Sequence, residues 1–139
     1  MSDRALRAGI AVVAAAGLGV SAYLTYVHYR PEALVCTATG GCETVQQSDY
    51  ATLVGIPVAL LGVLAYAAVL VLVAWDTPWA RLATAAIALS GAGFALYLIV
   101  LQAFVIDAWC VWCLVNDVVI VPLLAVLAVA RLRSAETGV

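Results

Sequence analysis

The chain has 139 residues, 67% of them hydrophobic and 10% charged, with six arginines, no lysine, eight acidic residues and a net charge of −2. Soluble domains run at roughly 45–50% apolar and about 25% charged, so this chain has more apolar surface than one small soluble core hides. That excludes a cytosolic globular enzyme and a disordered tail; the absence of a basic face excludes a nucleic-acid binder; and a mean hydropathy of +1.15 leaves an integral membrane protein.

Four apolar stretches are predicted to span, at about residues 6–29, 55–75, 82–105 and 108–132. Each reaches the roughly 20 residues that a spanning helix takes, and none alternates with period two, so helices are favoured over barrel strands. The fold class expected is an all-α four-helix transmembrane bundle, with residues 1–139 forming one membrane domain. The first stretch outlasts the short apolar region of a signal peptide and is read as a span. A long loop follows it, from about Arg30 to Val54, and carries Cys36, Cys42 and Gly40-Gly41. Its segment Glu43-Thr44-Val45-Gln46-Gln47 suits a short surface helix. Pro57 is expected in the first turn of the second helix, where a missing N–H costs nothing. A tight turn, Asp76 to Arg81, leads to the third. Asp107 is expected to cap the fourth, and Pro122 to bend it or leave a carbonyl free. Gly17-Leu18-Gly19 and Gly91-Ala92-Gly93 read as close helix packing.

With four spans, both termini and the second turn share one side. That side holds Arg4, Arg7, Arg81, Arg131 and Arg133; the other holds only Arg30. Positive residues stay in the cytoplasm, so the long loop and the Cys110-Val111-Trp112-Cys113 segment are expected to face outward. All four cysteines then lie on the oxidising side of a bacterial inner membrane. A Cys-x-x-Cys at a helix start is the spacing of redox-active pairs, and a helix N-terminus stabilises a thiolate. Two structural disulfides, or a Cys₄ zinc site, are the other readings of the same residues. Cys110 is expected in the first turn, with Cys113 a turn deeper on the same face, where a lipid-soluble ligand can reach it.

The chain resembles a bacterial homologue of the vitamin K epoxide reductase family, in a single-domain form without a fused thioredoxin-like domain. The resemblance runs from about Leu6 to Arg133. It is carried by Cys36-x₅-Cys42, by Ser48, by Gly55-Ile56-Pro57-Val58-Ala59-Leu60-Leu61-Gly62, and by Trp109-Cys110-Val111-Trp112-Cys113. Animal members have a tyrosine, used in vitamin K binding, four residues after the last cysteine; here that position is Asp117. Thiol oxidases of the DsbB type carry their cysteine pairs in the reverse order. The resemblance implies a quinone-dependent thiol oxidoreductase with menaquinone or ubiquinone as acceptor. It further implies that a separate DsbA-like, thioredoxin-fold partner reduces the Cys36–Cys42 pair, which passes electrons to Cys110–Cys113, and that Cys113 faces the quinone. Gly40-Gly41 would give the loop its freedom to move between them.

Ser48 holds the family's hydroxyl position near the cysteine centre, and equally suits a cap for the residues after it. Asp117 shares a helical stripe with both cysteines, and an ionisable group within a span is a functional candidate. It is read either as a proton holder for the quinone or as a partner to a neighbouring helix. Asn116 and Gln102 are weaker candidates of the same kind. Trp109 and Trp112 are read as interface anchors and as possible walls of the quinone pocket, and His28 as an interface residue. A membrane protein with purely structural disulfides and a four-thiolate metal carrier are the alternatives from other classes.

Overall fold

A computed structural model describes residues 2–30, 52–107 and 110–136. Cys36, Cys42, Ser48, Trp109 and the Glu43–Gln47 segment lie outside the described residues. Helix α1 runs over Asp3–Tyr29 and is capped by Ser2, whose hydroxyl accepts from the Ala5 N–H at 3.2 Å. Strands β1 (Thr52–Leu53) and β2 (Ile56–Pro57) pair antiparallel. Val54 and Gly55 turn the chain between them with φ of 56° and 82°. Both signs match the two-residue turn that follows strand twist, and a β-branched residue there is strained. Helix α2 is Val58–Trp75 and helix α3 is Pro78–Val100. Helix α3 continues as a π-helical turn over Leu101–Val105. The fourth span is built of α4 (Val111–Leu114), a π-helical turn over Val115–Ile120, and α5 (Val121–Glu136).

Four helices are thus long and apolar enough to cross a membrane, at Asp3–Tyr29, Val58–Trp75, Pro78–Val105 and Val111–Ser134. Their outward faces are apolar too. Leu82, Leu89 and Leu96 of α3 are exposed at heptad spacing, as are Leu64 and Val71 of α2 and Val126 of α5. That is the pattern of a bundle dissolved in lipid rather than water. The buried face is rich in small residues, including Ala14, Ala85, Ala88, Ala95, Ala125 and Ala128. With no hydrophobic drive between helices inside lipid, such residues let dispersion contacts form at short range.

Helix α1 packs most extensively on α2, and α3 on α5. The α1–α2 crossing is close for a definite reason. A Cβ on Gly17 would lie 2.4 Å from the Tyr66 ring, and one on Gly62 would lie 2.7 Å from Ser21 Oγ. Gly17 therefore bears out the packing expectation and Gly62 adds to it. Gly19 and Gly93 face open space, and Gly91 meets only Val121 at 3.9 Å.

Several local expectations are corrected. Pro57 is not in the first helical turn: it ends β2 with extended backbone and caps α2 from outside. The second turn is shorter than expected, because Thr77 caps α3 through its hydroxyl and Pro78 occupies the start of the helix. Asp107 is not the cap of the fourth span. It turns the chain with φ of 58°, and Cys110 is the N-cap. Pro122 is not among these corrections: it lies just past Val121, which follows the π turn, and has no N–H with which to close an i→i−4 bond.

The two termini of the bundle and the α2–α3 turn meet at one end, joined by charge. Arg131 is buried and donates to Asp3 at 3.0 Å and to Asp76. Arg81 donates to Asp76 at 3.2 Å, and Arg7 donates to the Val73 carbonyl at 3.0 Å. Burial pulls the Asp76 carboxyl upward, but the Arg81 hydrogen bond and the charges of Arg131, Arg7 and Arg81 hold it below its ordinary range. A carboxylate held low contributes stability above its unfolded value of about 3.9, lost as pH falls through the folded value. Arg131→Ala is expected to lower the unfolding midpoint in detergent by the equivalent of about 1–3 kcal/mol. Acidification from pH 7 to below 4 is expected to lower the wild-type midpoint more than that of Asp76→Asn. Equal acid sensitivity, or an Arg131→Ala midpoint equal to wild type, would show that the cluster binds nothing together.

Candidate functional site

The opposite end of the bundle carries the cysteine pair. Cys110 is fully buried, and its N–H donates to Gln102 Oε1 at 2.9 Å. Gln102 is itself buried and sits in the π turn that ends the third span. As N-cap, Cys110 accepts the Cys113 N–H on its sulfur at 3.3 Å, and its carbonyl accepts the Leu114 N–H at 2.9 Å. A sulfur placed there receives both a direct N–H and the positive end of the helix. Cys110 is thus the sulfur that the backbone supports, and Cys113, half-buried, packs against it.

Cys113 also lines a cavity of about 590 Å³ between the helices. The walls are apolar and come from all four spans, among them Leu24, Leu61, Ala65, Val69, Gly91, Phe94, Leu98 and Leu124. Gln102, Cys113, Asn116 and Asp117 supply polar side chains from the cysteine end, and Ser21, Tyr66 and Ser90 line the walls as well. Tyr66 donates to Asn116 Oδ1 at 2.5 Å, and Asn116 Nδ2 donates to Asp117 Oδ1 at 3.1 Å. Asp117 is 3% exposed, and its Oδ2 is buried with no hydrogen-bond partner among the described residues. A buried polar atom without a partner is costly and calls for an explanation. Both π turns bring their polar residues to this place, Gln102 from one side and Asn116-Asp117 from the other. Such turns recur at functional sites.

The sequence-predicted residues therefore divide. Cys113, Asn116 and Asp117 line one cavity, and Gln102 joins it while holding Cys110. Trp112 does not line it. Its ring meets Tyr23 of α1 edge-on, centroids 5.3 Å apart, in a separate groove with Ala16, Gly19 and Val20. Consecutive residues on a helix point about 100° apart, and here that turn carries Trp112 to α1 while Cys113 meets the cavity. His28 stacks edge-on against Tyr29, itself exposed, at the end of α1, as an interface pair would. Tyr66 was not singled out from the sequence. Its only signal there is a phenol in the middle of an otherwise apolar span.

The cavity fits a quinone head. Its volume lies within the range of roughly 300–1,000 Å³ usual for small-molecule sites, its walls are apolar, and it offers a few polar groups at one end. The unpartnered Asp117 Oδ2 is a place for a ligand's polar edge. Asp117 and Asn116 would hold such a head beside Cys113.

A redox-spaced cysteine pair at the end of a membrane bundle, with one sulfur opening on an apolar cavity, defines a membrane thiol oxidoreductase with a lipid-soluble acceptor. Residues 8–128 match the Vitamin K epoxide reductase family, and the chain belongs to it. Membership makes it a quinone-linked oxidoreductase acting on disulfides, in a family that generally works with a thioredoxin-like partner.

Proposed function

We propose that this protein regenerates disulfides in a separate DsbA-like partner outside the bacterial inner membrane. The reduced partner's thiolate attacks the Cys36–Cys42 disulfide, and the partner leaves oxidised. The loop dithiol then attacks the Cys110–Cys113 disulfide, reforming its own and leaving Cys110 and Cys113 reduced. A quinone bound beside Cys113 supplies the terminal chemistry, taking up two electrons and two protons as Cys110–Cys113 closes again. Ubiquinone and menaquinone both suit that role.

The observation that carries the reading is the position of Cys113 in the wall of the cavity whose polar end is Asn116 and Asp117. Cys110 is suited to the exchange step: its sulfur, held by the Cys113 N–H, leaves readily as a thiolate. In this account Asp117 carries a proton on Oδ2 and donates it as a hydrogen bond to the quinone oxygen, while Asn116 holds Oδ1 in place. Trp112 is an interface anchor in this account. Ser48 and the loop cysteines enter on the family resemblance. The sidedness rests on the five arginines at the end away from Cys110, with Arg30 alone at the other. Residues 1–139 act as one membrane domain.

The cysteines should therefore change state with quinone supply. In membranes, adding ubiquinone-1 under reducing conditions is expected to shift Cys110 and Cys113 from alkylatable to protected. An impermeant maleimide on intact, reduced cells is expected to label Cys36 or Cys42. Cysteines insensitive to quinone would mark structural disulfides, and labelling only after lysis would invert the topology.

A further inference from the structure

We propose that Tyr66 is a positioning residue for the acceptor end of the cavity, acting through Asn116 to fix the direction of the Asp117 carboxyl. The proposal rests on the reading of Asp117 as the group that meets the acceptor. Tyr66 lies mid-span on α2, 5% exposed, and its hydroxyl crosses the bundle to the π turn of the fourth span. The Tyr66 hydroxyl donates to Asn116 Oδ1 at 2.5 Å and takes up one end of the amide. Its oxygen is occupied by the phenol, so its nitrogen must face Asp117, where it donates to Oδ1 at 3.1 Å. An amide turned the other way would set its oxygen against Asp117 Oδ1 in place of the N–H that now donates there. With Oδ1 taken, Oδ2 is the oxygen left without a partner among the described residues. The chain from Tyr66 thus determines which carboxyl oxygen is available to a ligand.

Gly17 makes the arrangement possible. Helix α1 presents no side chain where the Tyr66 ring lies, and a Cβ there would come within 2.4 Å of it. The ring is consequently seated against bare backbone, which leaves its hydroxyl one direction to reach across. A phenol held by a glycine seat, spent on an amide rather than on the cavity, is costly to build for packing alone. A phenylalanine would fill the same seat with no polar atom to bury.

The test uses the full chain in detergent, with dithiothreitol as reductant and ubiquinone-1 as acceptor. Tyr66→Phe keeps the ring on Gly17 and removes only the hydroxyl. It is expected to lower kcat about fivefold, the worth of one hydrogen bond, with KM for dithiothreitol unchanged. In an Asp117→Leu background the same change is expected to cost less than about twofold, because the group it positions is gone. A purely structural role would slow both backgrounds alike. Equal losses in the two backgrounds overturn the proposal. So does a full rate in Tyr66→Phe when Asp117→Leu alone is slow. A full rate in Asp117→Leu instead overturns the reading of Asp117 on which the proposal stands.

Discussion

Cys113→Ala is expected to abolish quinone reduction, a loss of at least about 1,000-fold in turnover with either the protein partner or dithiothreitol as donor. Cys113 is the cysteine in the cavity wall, whereas Cys110 is buried beneath Gln102 and the helix start. Without Cys113 no other described sulfur faces the acceptor, and a single sulfur cannot close a disulfide with Cys110. Cys110→Ala should behave differently. It removes the leaving sulfur that the loop dithiol needs, so partner-driven turnover stops. With dithiothreitol as donor, slow turnover should persist, since the cavity is intact and Cys113 can close a mixed disulfide with the donor as quinone is reduced, which the donor's second thiol then opens. Partner-driven turnover that survives Cys113→Ala would show that electrons take another route.

Asp117→Leu is expected to lower quinone turnover about 10- to 100-fold, the equivalent of losing one donor worth around 1.5–3 kcal/mol. Leucine preserves the bulk, so the walls of the cavity change little. What disappears is the polar edge at Oδ2 and the partner of Asn116 Nδ2. Asp117→Asn retains a donor and should lose only part of the rate. Exchange between the partner and the loop cysteines does not consume quinone and should be unaffected by either change. The measurement is steady-state reduction of ubiquinone-1, with the unfolding midpoint recorded for each variant. A folded Asp117→Leu protein with unchanged rate and unchanged KM for the quinone would return Asp117 to a helix-packing role.

The four spans were legible because lipid imposes a length and a composition on any segment that crosses it. The same uniformity hid the rest. Where every face is apolar, hydropathy does not say which residues look inward, so the Ala85, Ala88 and Ala95 face of α3 carried no signal against its Leu82, Leu89 and Leu96 face. The cysteine spacing was readable from the chain, and so were Asp117 and Asn116, polar residues out of place in a span. Tyr66 was not, because its meaning lies in a contact between two helices; Gly17 was read as a packing glycine, but not as the seat of that ring. Asp107 looked like a cap by type and position; the chain instead turned through it in a left-handed conformation, and the sulfur of Cys110 took the role. The π turns left no mark beyond Pro122, and they are what rotate Gln102 and Asn116-Asp117 toward the cavity. The arginines were read for topology alone. Three of them also tie α1, the α2–α3 turn and α5 together through Asp3 and Asp76.

The central claim is that Cys110 and Cys113 pass electrons directly to a quinone held in the bundle. It is tested most directly by a single turnover of a protein with Cys36 and Cys42 both replaced by alanine. The purified variant is reduced, freed of reductant under anaerobic conditions, and mixed with excess ubiquinone-1. The account predicts one quinol formed per protein molecule, with Cys110 and Cys113 joined in a disulfide resistant to alkylation. A folded variant that keeps both thiols alkylatable and forms no quinol, while the wild-type protein forms it, would contradict the account.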